Sequence, residues 1–260
     1  MFTHLIGNEP VKLTLRRLLK KGRVPNSLLF AGPDGVGKRQ FAIEVAKAFL
    51  CVEPADGEPC GTCSACKRAD VFVFPKSEKS DDYDLVFFSD HPDLGTVIPF
   101  RRNVRIGAIR ALEREANFRP YEAQARFFIV DDAEKMADPA ANALLKTLEE
   151  PAPTTYIILI TSRPDSLLPT IRSRCQTVRF APVAETEIEE FLIRDRAFSH
   201  DEARLAARAS RGSVGRALSV NAATFAAARQ RMLDVLRNII DAGNLAAALK
   251  ISEELNDAKH

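Results

Sequence analysis

Four of the five cysteines fall within sixteen residues: Cys51, Cys60, Cys63 and Cys66, with Cys175 far downstream. Cys60-Gly61-Thr62-Cys63-Ser64-Ala65-Cys66 forms a tight knuckle, and Cys51 closes the set from the end of a predicted helix. Thiolates at this spacing in a reducing compartment suit a metal better than disulfides. Four of them make a closed tetrahedral Zn²⁺ site, which is structural because no coordination position remains for a substrate. Free thiols and an iron–sulfur cluster are the alternatives. Cys175 stands outside the set.

The second chemical signal is Gly32-Pro33-Asp34-Gly35-Val36-Gly37-Lys38-Arg39. Glycines let the backbone turn its N–H groups toward a phosphate, the helix that follows adds its positive end, and Lys38 reaches the outer phosphates. The last position of such a loop carries Ser or Thr, whose hydroxyl ligates Mg²⁺. Arg39 has no such oxygen and places a cation near the metal's position. A carboxylate pair belongs at the end of a later strand, and Asp131-Asp132 stands there. Asp131 is expected to hold Mg²⁺, often through water. Asp132 occupies the place of a glutamate that orients the attacking water, one methylene too short, and small misplacements are expensive in catalysis. ATP/Mg²⁺ chemistry is therefore expected to be impaired, with the loop backbone and Lys38 left as the means of nucleotide binding. The plainer alternative is a pair of solvated acids at a strand end.

These residues need a scaffold, and the hydrophobic pattern supplies one. Residues 5–22 carry Leu5, Leu13, Leu15, Leu18 and Leu19 at helical spacing. Short apolar runs predict buried strands at 27–31, 84–88, 126–130, 156–160 and 177–180, and helical periodicity predicts helices at 38–50, 104–116 and 138–149. The phosphate loop thus joins a strand to a helix, as its chemistry requires. Alternating strands and helices imply an α/β fold with a mostly parallel sheet flanked by helices. Residues 72–83 read as a polar, mobile loop and 90–103 as irregular. After Pro182 the chain turns to Ala, Arg and Glu without a convincing strand. The expected division is a core over 1–181 with the cysteine module at 51–66, a small helical lid over 182–220, and the start of a further helical region over 221–260.

Composition is permissive. The chain has 260 residues, 46% hydrophobic and 28% charged, with 37 basic and 35 acidic residues and a formal charge of +2. That balance argues against a wholesale nucleic-acid binder but allows a local basic patch. No apolar run is long enough to span a membrane, and Met1-Phe2-Thr3-His4 begins no signal pattern. A cytoplasmic location with no membrane partner is the default expectation.

Two further strings carry a family resemblance. Asn142-Ala143-Leu144-Leu145-Lys146-Thr147-Leu148-Glu149-Glu150-Pro151 is similar to the segment after the acidic motif of clamp-loader AAA+ ATPases, and Leu168-Pro169-Thr170-Ile171-Arg172-Ser173-Arg174-Cys175 carries their Ser-Arg-Cys signature. The cysteine spacing also resembles their zinc insertion. The resemblance, over roughly residues 1–220, implies a P-loop AAA+ core with a zinc-binding insertion followed by a small helical lid, and a role in ATP-dependent loading of the sliding clamp in DNA replication. It implies that Arg174 is an arginine finger acting in trans on a neighbour's ATP, a task suited to a planar guanidinium. Thr161 matches the polar sensor position. The lid sensor departs from the family: Gly212-Ser213-Val214-Gly215-Arg216 puts glycine where the sensor arginine belongs, and one step along a helix turns Arg216 by about 100°. With Arg39 and Asp132, this pattern of loss sets the chain among the family's non-motor subunits. The implied partners are the motor subunits, the delta subunit, the clamp indirectly, and primed DNA, for which Arg101, Arg102, Arg105 and Arg110 could form a salt-sensitive basic face. The family's third, collar domain is longer than the residues left after the lid. The alternatives are an active motor subunit that tolerates Arg39 and Asp132, and an AAA+ remodeller outside replication.

Overall fold

The computed structural model describes residues 2–220, 230–234 and 237. The expected helical region at 221–260 lies outside the described residues, apart from helical backbone at 230–234. Among the described residues no helix is long and apolar enough to cross a membrane.

Three of the predicted strands form the centre of the sheet. Strands β1 (Ser27–Ala31), β4 (Arg126–Val130) and β5 (Thr155–Thr161) are apolar runs, and nearly every residue in them is buried. Period-2 alternation divides their side chains between two faces. Leu28, Phe30, Phe127, Ile129, Ile158 and Ile160 face one core, with Val11, Leu15 and Leu19 of α1 (Glu9–Lys20) and Phe41 and Val45 of α2 (Lys38–Leu50). Leu29, Phe128, Val130, Ile157 and Leu159 face the other, with Ile109 and Leu112 of α4 (Ile106–Ala116) and Leu144 and Leu148 of α5 (Asp138–Glu149). A strand wanting apolar residues on both sides reads as a continuous run, which is why these were legible.

The six-stranded sheet has the order β2-β3-β4-β5-β1-β6, with β2 (Phe87–Phe88), β3 (Leu94–Val97) and β6 (Gln176–Arg179) completing it. All neighbours are parallel except the β2–β3 pair. The order brings the ends of β1, β4 and β5 side by side. The loop, the acidic pair and Thr161 therefore meet at one sheet edge.

Four expectations need correction. The first helix begins at Glu9, because Asn8 adopts a left-handed conformation (φ 54°) and Pro10 opens the first turn. Leu5 precedes the helix, and Leu13 is half exposed. The strand expected over 84–88 shrinks to Phe87–Phe88 at the antiparallel edge. The strand beside β4 is instead β3, inside the stretch read as irregular. Gly95 and Thr96 break its apolar run, and the glycine is needed there because a Cβ would strike Val86. The polar segment 72–83 is tied down by aromatic contacts: Phe72 stacks on Phe74, Phe74 meets Phe87, and Tyr83 meets Phe87 and Phe100.

Beyond the sheet, α7 (Glu185–Arg196), α8 (His200–Ser210) and α9 (Val214–Ser219) pack around Ile188, Leu192, Ala203, Ala206 and Ala217. Short helices α3 (Ser64–Ala69) and α6 (Pro169–Arg172) carry the cysteine knuckle and the approach to Arg174.

Candidate functional site

The phosphate loop lies between β1 and α2. Gly35 (φ 73°) and Gly37 (φ 95°) occupy left-handed conformations that an L side chain resists. A Cβ on Gly32 would collide with the Phe180 carbonyl. The lysine does not project from the loop. Lys38 Nζ donates to the carbonyls of Gly32 and Pro33, both at 2.7 Å, and its side chain is buried. Burial lowers its pKa, against the pull of Asp34, Glu134, Asp131 and Asp132. The start of α9 packs directly on the loop: Gly215 N–H donates to the Gly35 carbonyl at 2.9 Å, and a Cβ on Gly35 would collide with Ser213 Oγ. Arg216, one step beyond, is exposed.

The acidic residues follow β4. Asp131 Oδ2 lies 3.5 Å from Arg39 Nη1, and its Oδ1 accepts from the Asp132 amide at 3.2 Å. Burial raises the Asp131 pKa, and Arg39 opposes that rise. Asp132 sits in a left-handed conformation (φ 47°) and turns to Lys135, with Oδ2 2.8 Å from Nζ. Arg39 is half-buried, its Cζ 4.8 Å from the Phe74 ring centroid and 5.3 Å from that of Phe72.

Glu134 is the residue that sequence reasoning missed. Its Oε1 accepts from Ser162 Oγ at 2.6 Å and from the Ser162 amide at 3.1 Å, while its Oε2 is buried without a hydrogen-bond partner. Burial pushes its pKa up, but hydrogen bonds led by Ser162 outweigh this and hold it below the usual carboxylate value. Thr161 is buried beside it and accepts from the Arg163 amide. The signal was available in Asp131-Asp132-Ala133-Glu134: the 3-10 turn at Ala133–Lys135 swings the third residue back toward β5.

At the other end of α2 the four cysteines converge. Their sulfurs all lie within 4.8 Å of one another. Cys51 caps the C-terminus of α2, Cys63 caps the N-terminus of α3, Cys66 lies within α3, and Cys60 precedes a turn through Gly61 (φ 73°). Backbone amides of Thr62 and Cys63 bring the Cys60 pKa to about 6, whereas burial pushes Cys51 and Cys66 up. The set fits a tetrahedral thiolate centre, so this cluster could bind a metal ion. Lys47 anchors it to α2, contacting Glu44 Oε1 at 2.8 Å and Asp70 at the end of α3. Cys175 is buried elsewhere, its thiol pushed up to about 12.

Arg174 follows α6, a third exposed. Its Nη2 lies 2.6 Å from Glu149 Oε1 and its Nη1 donates to the Thr170 carbonyl at 2.9 Å. The four arginines expected on one basic helix face are not arranged so. Arg101, Arg102 and Arg105 precede α4, and Arg105 is held by both oxygens of Asp84 and by Asp81. Arg110 is exposed on α4, bordering a groove with Arg114 and Lys146.

A family model described as "DNA polymerase III, delta subunit" matches residues 7–184, more than half of the chain. The Bacillus subtilis DNA polymerase III subunit delta' is 37% identical over 175 residues, covering 67% of this chain and 48% of that protein. The Escherichia coli subunit delta' is 32% identical over 233 residues, covering 88% of this chain and 65% of that protein. The chain thus spans less than two thirds of the length of either relative. Among solved structures, Thermotoga maritima RuvB, a Holliday junction branch migration motor, superposes with a TM-score of 0.51 at 17% identity over 96% of this chain and 70% of that one, a likeness of fold. The chain belongs to the DNA polymerase III delta-subunit family, and delta' proteins are among the relatives that it resembles.

Proposed function

We propose that this chain acts as a delta'-like subunit of the clamp loader, supporting ATP-dependent loading of the sliding clamp without hydrolysing ATP itself. One observation carries the reading: the groups that would handle ATP are turned onto the protein, while Arg174 stands at the surface. Lys38 is spent on loop carbonyls, Asp131 on Arg39 and Asp132 on Lys135. Both terminal nitrogens of Arg174 are held, Nη1 by the Thr170 carbonyl and Nη2 by Glu149, yet a third of the side chain is exposed, so a neighbour's phosphate would compete with Glu149 for it. An arginine so placed suits donation to the γ-phosphate of a neighbouring subunit.

The partners on this reading are the motor subunits and the delta subunit, with the clamp contacted indirectly and the protein cytoplasmic. Primed DNA within the complex would meet Arg101, Arg102 and Arg110; Arg105 is the weaker candidate because Asp84 already holds it. Residues 1–181 would serve as the AAA+ core and 182–220 as its lid. The cysteine cluster would hold one structural Zn²⁺, stabilising residues 51–66 and the α2–α3 junction. Cys51, Cys60, Cys63 and Cys66 would be its ligands, and no chemistry of ATP passes through it.

The test is reconstitution of the chain with motor subunits, clamp and primed DNA. The isolated chain should show no ATP turnover. Arg174→Ala should lower turnover at the neighbouring site on the order of 1,000-fold, the lower range for arginine fingers. Turnover by the isolated chain, or an Arg174→Ala complex as active as the unaltered one, would point to the motor-subunit alternative.

A further inference from the structure

The Mg²⁺ ion that phosphate loops of this type use does not fit the residues present. Magnesium demands near-octahedral oxygen ligands. Position 39 offers a guanidinium in place of a hydroxyl. Both oxygens of Asp131 are engaged, Oδ2 by Arg39 and Oδ1 by the Asp132 amide. Asp132 has turned away to Lys135. The single buried carboxylate oxygen without a partner in this turn is Glu134 Oε2, too little to build a magnesium shell among the described residues.

We infer that the Arg39 guanidinium is the resident cation of this pocket, standing in for the divalent ion both as the charge facing Asp131 and as a mechanical link. The charge role follows from burial. Asp131 lies largely out of water, where an uncompensated carboxylate is costly, and Arg39 is the nearest cation to it. The mechanical role follows from what lies on the guanidinium's other side. Its Cζ is within cation–π range of Phe72 and Phe74. Those rings belong to the segment that leaves α3, the helix carrying Cys63 and Cys66 at its start. The same segment pairs with the sheet edge through Phe72 and Ser89. Asp70, at its beginning, is held by Lys47. Helix α2 therefore grips the exit of the cysteine module twice, with Arg39 at its first turn and Lys47 at its last. A metal ion bound by Asp131 would supply the charge but could not stack on Phe72 and Phe74. Arg39 thus ties the acidic turn to the cysteine module, and Mg²⁺ has no part in the folded state of this pocket.

The experiment uses the full chain with its cysteine module loaded with Zn²⁺, and Mn²⁺ as a spectroscopic probe for Mg²⁺. Paramagnetic resonance counts bound Mn²⁺ for the unaltered chain, Arg39→Ser, Arg39→Met and each combined with Asp131→Asn. The unaltered chain should give no Asp131-dependent site. Arg39→Ser, which supplies a hydroxyl and removes the cation, should gain one site, at least about 10-fold tighter than any residual binding, and lose it again with Asp131→Asn. Arg39→Met, whose thioether still packs on Phe72 and Phe74, should fold even if Arg39→Ser does not, and should gain a weaker Asp131-dependent site. An Asp131-dependent Mn²⁺ site in the unaltered chain overturns the inference. So does the failure of both variants to gain one.

Discussion

Helix α2 carries a candidate site at each end, and the two differ in how their polar groups are satisfied. At its N-terminus the loop lysine, the acidic pair and Arg39 hold one another, Lys135 or nearby backbone, and α9 rests on Gly35. At its C-terminus four sulfurs face one another within 4.8 Å, steadied by amide-to-sulfur contacts and by a Cys51–Cys63 sulfur contact at 3.9 Å. A carboxylate can be answered by an arginine from the same chain. Among the four converging thiols, burial opposes deprotonation of Cys51 and Cys66, and no side-chain cation among the described residues is paired with them, so a metal ion is the partner that would favour their thiolates. A motif therefore shows which chemistry the backbone can host, while the neighbours of its side chains show whether that chemistry needs an external ion.

The largest expected effect lies at the cysteine end. Cys66 is fully buried, so Cys66→Ser should release the metal and lower stability by about 3 kcal/mol or more, because metal binding there is folding free energy. Metal analysis and denaturant unfolding would check this. If the variant kept both its metal and its stability, the contrast between the two ends would fail.

Lys47 tests the link between the ends. Lys47→Met leaves Glu44, itself buried, with only His4 Nε2 at 3.5 Å in place of the lysine at 2.8 Å. Removing one partner of a buried pair costs about 3 kcal/mol, and hydrogen exchange should quicken in both α3 and the end of α2. Gly35→Ala strikes the self-satisfied end. Its left-handed backbone and the collision with Ser213 Oγ should cost about 1–3 kcal/mol, with faster exchange in α9 and little change in bound Zn²⁺.

The smallest effect concerns the module's second anchor. Arg68 of α3 pairs with Glu122 at 2.7 Å, and Glu122 also meets buried His91 at 3.2 Å. Burial lowers the His91 pKa below its ordinary 6.5, with Glu122 and Asp93 opposing and Arg68 assisting. A depressed histidine leaves the unfolded chain binding more protons. Its contribution is present above pH 6.5 and is lost as pH falls through that value toward the folded pKa. One pH unit below, the loss is at most about 1.4 kcal/mol. His91→Gln should flatten that part of the stability–pH curve.

Much of this was legible in the sequence because it is local. β1, α2, β4 and α5 fall within a residue of their predicted limits, since a run buried on both faces and a loop punctuated by glycines announce themselves. The cysteine cluster was legible for the same reason, all four cysteines lying close in the chain. β3 was not, because Leu94-Gly95-Thr96-Val97 is too short and mixed to stand out from loop. Arg39 and Asp131, 92 residues apart, could be placed near one another by motif, but the rings of Phe72 and Phe74 against the guanidinium could not. Arg105 looked like a free basic residue until Asp84, 21 residues earlier, proved to hold it. Pairings of this kind depend on how loops close over the sheet, which hydrophobic periodicity does not encode.

The central claim is that one end of α2 needs an external cation and the other carries its own. A native mass spectrum of the full chain equilibrated with Zn²⁺, Mg²⁺ and ATP tests both halves together. The account predicts one zinc per chain, lost with Cys66→Ser, and no stoichiometric Mg²⁺–ATP adduct. A chain that carries Mg²⁺–ATP at one equivalent, or that binds no zinc, would contradict it.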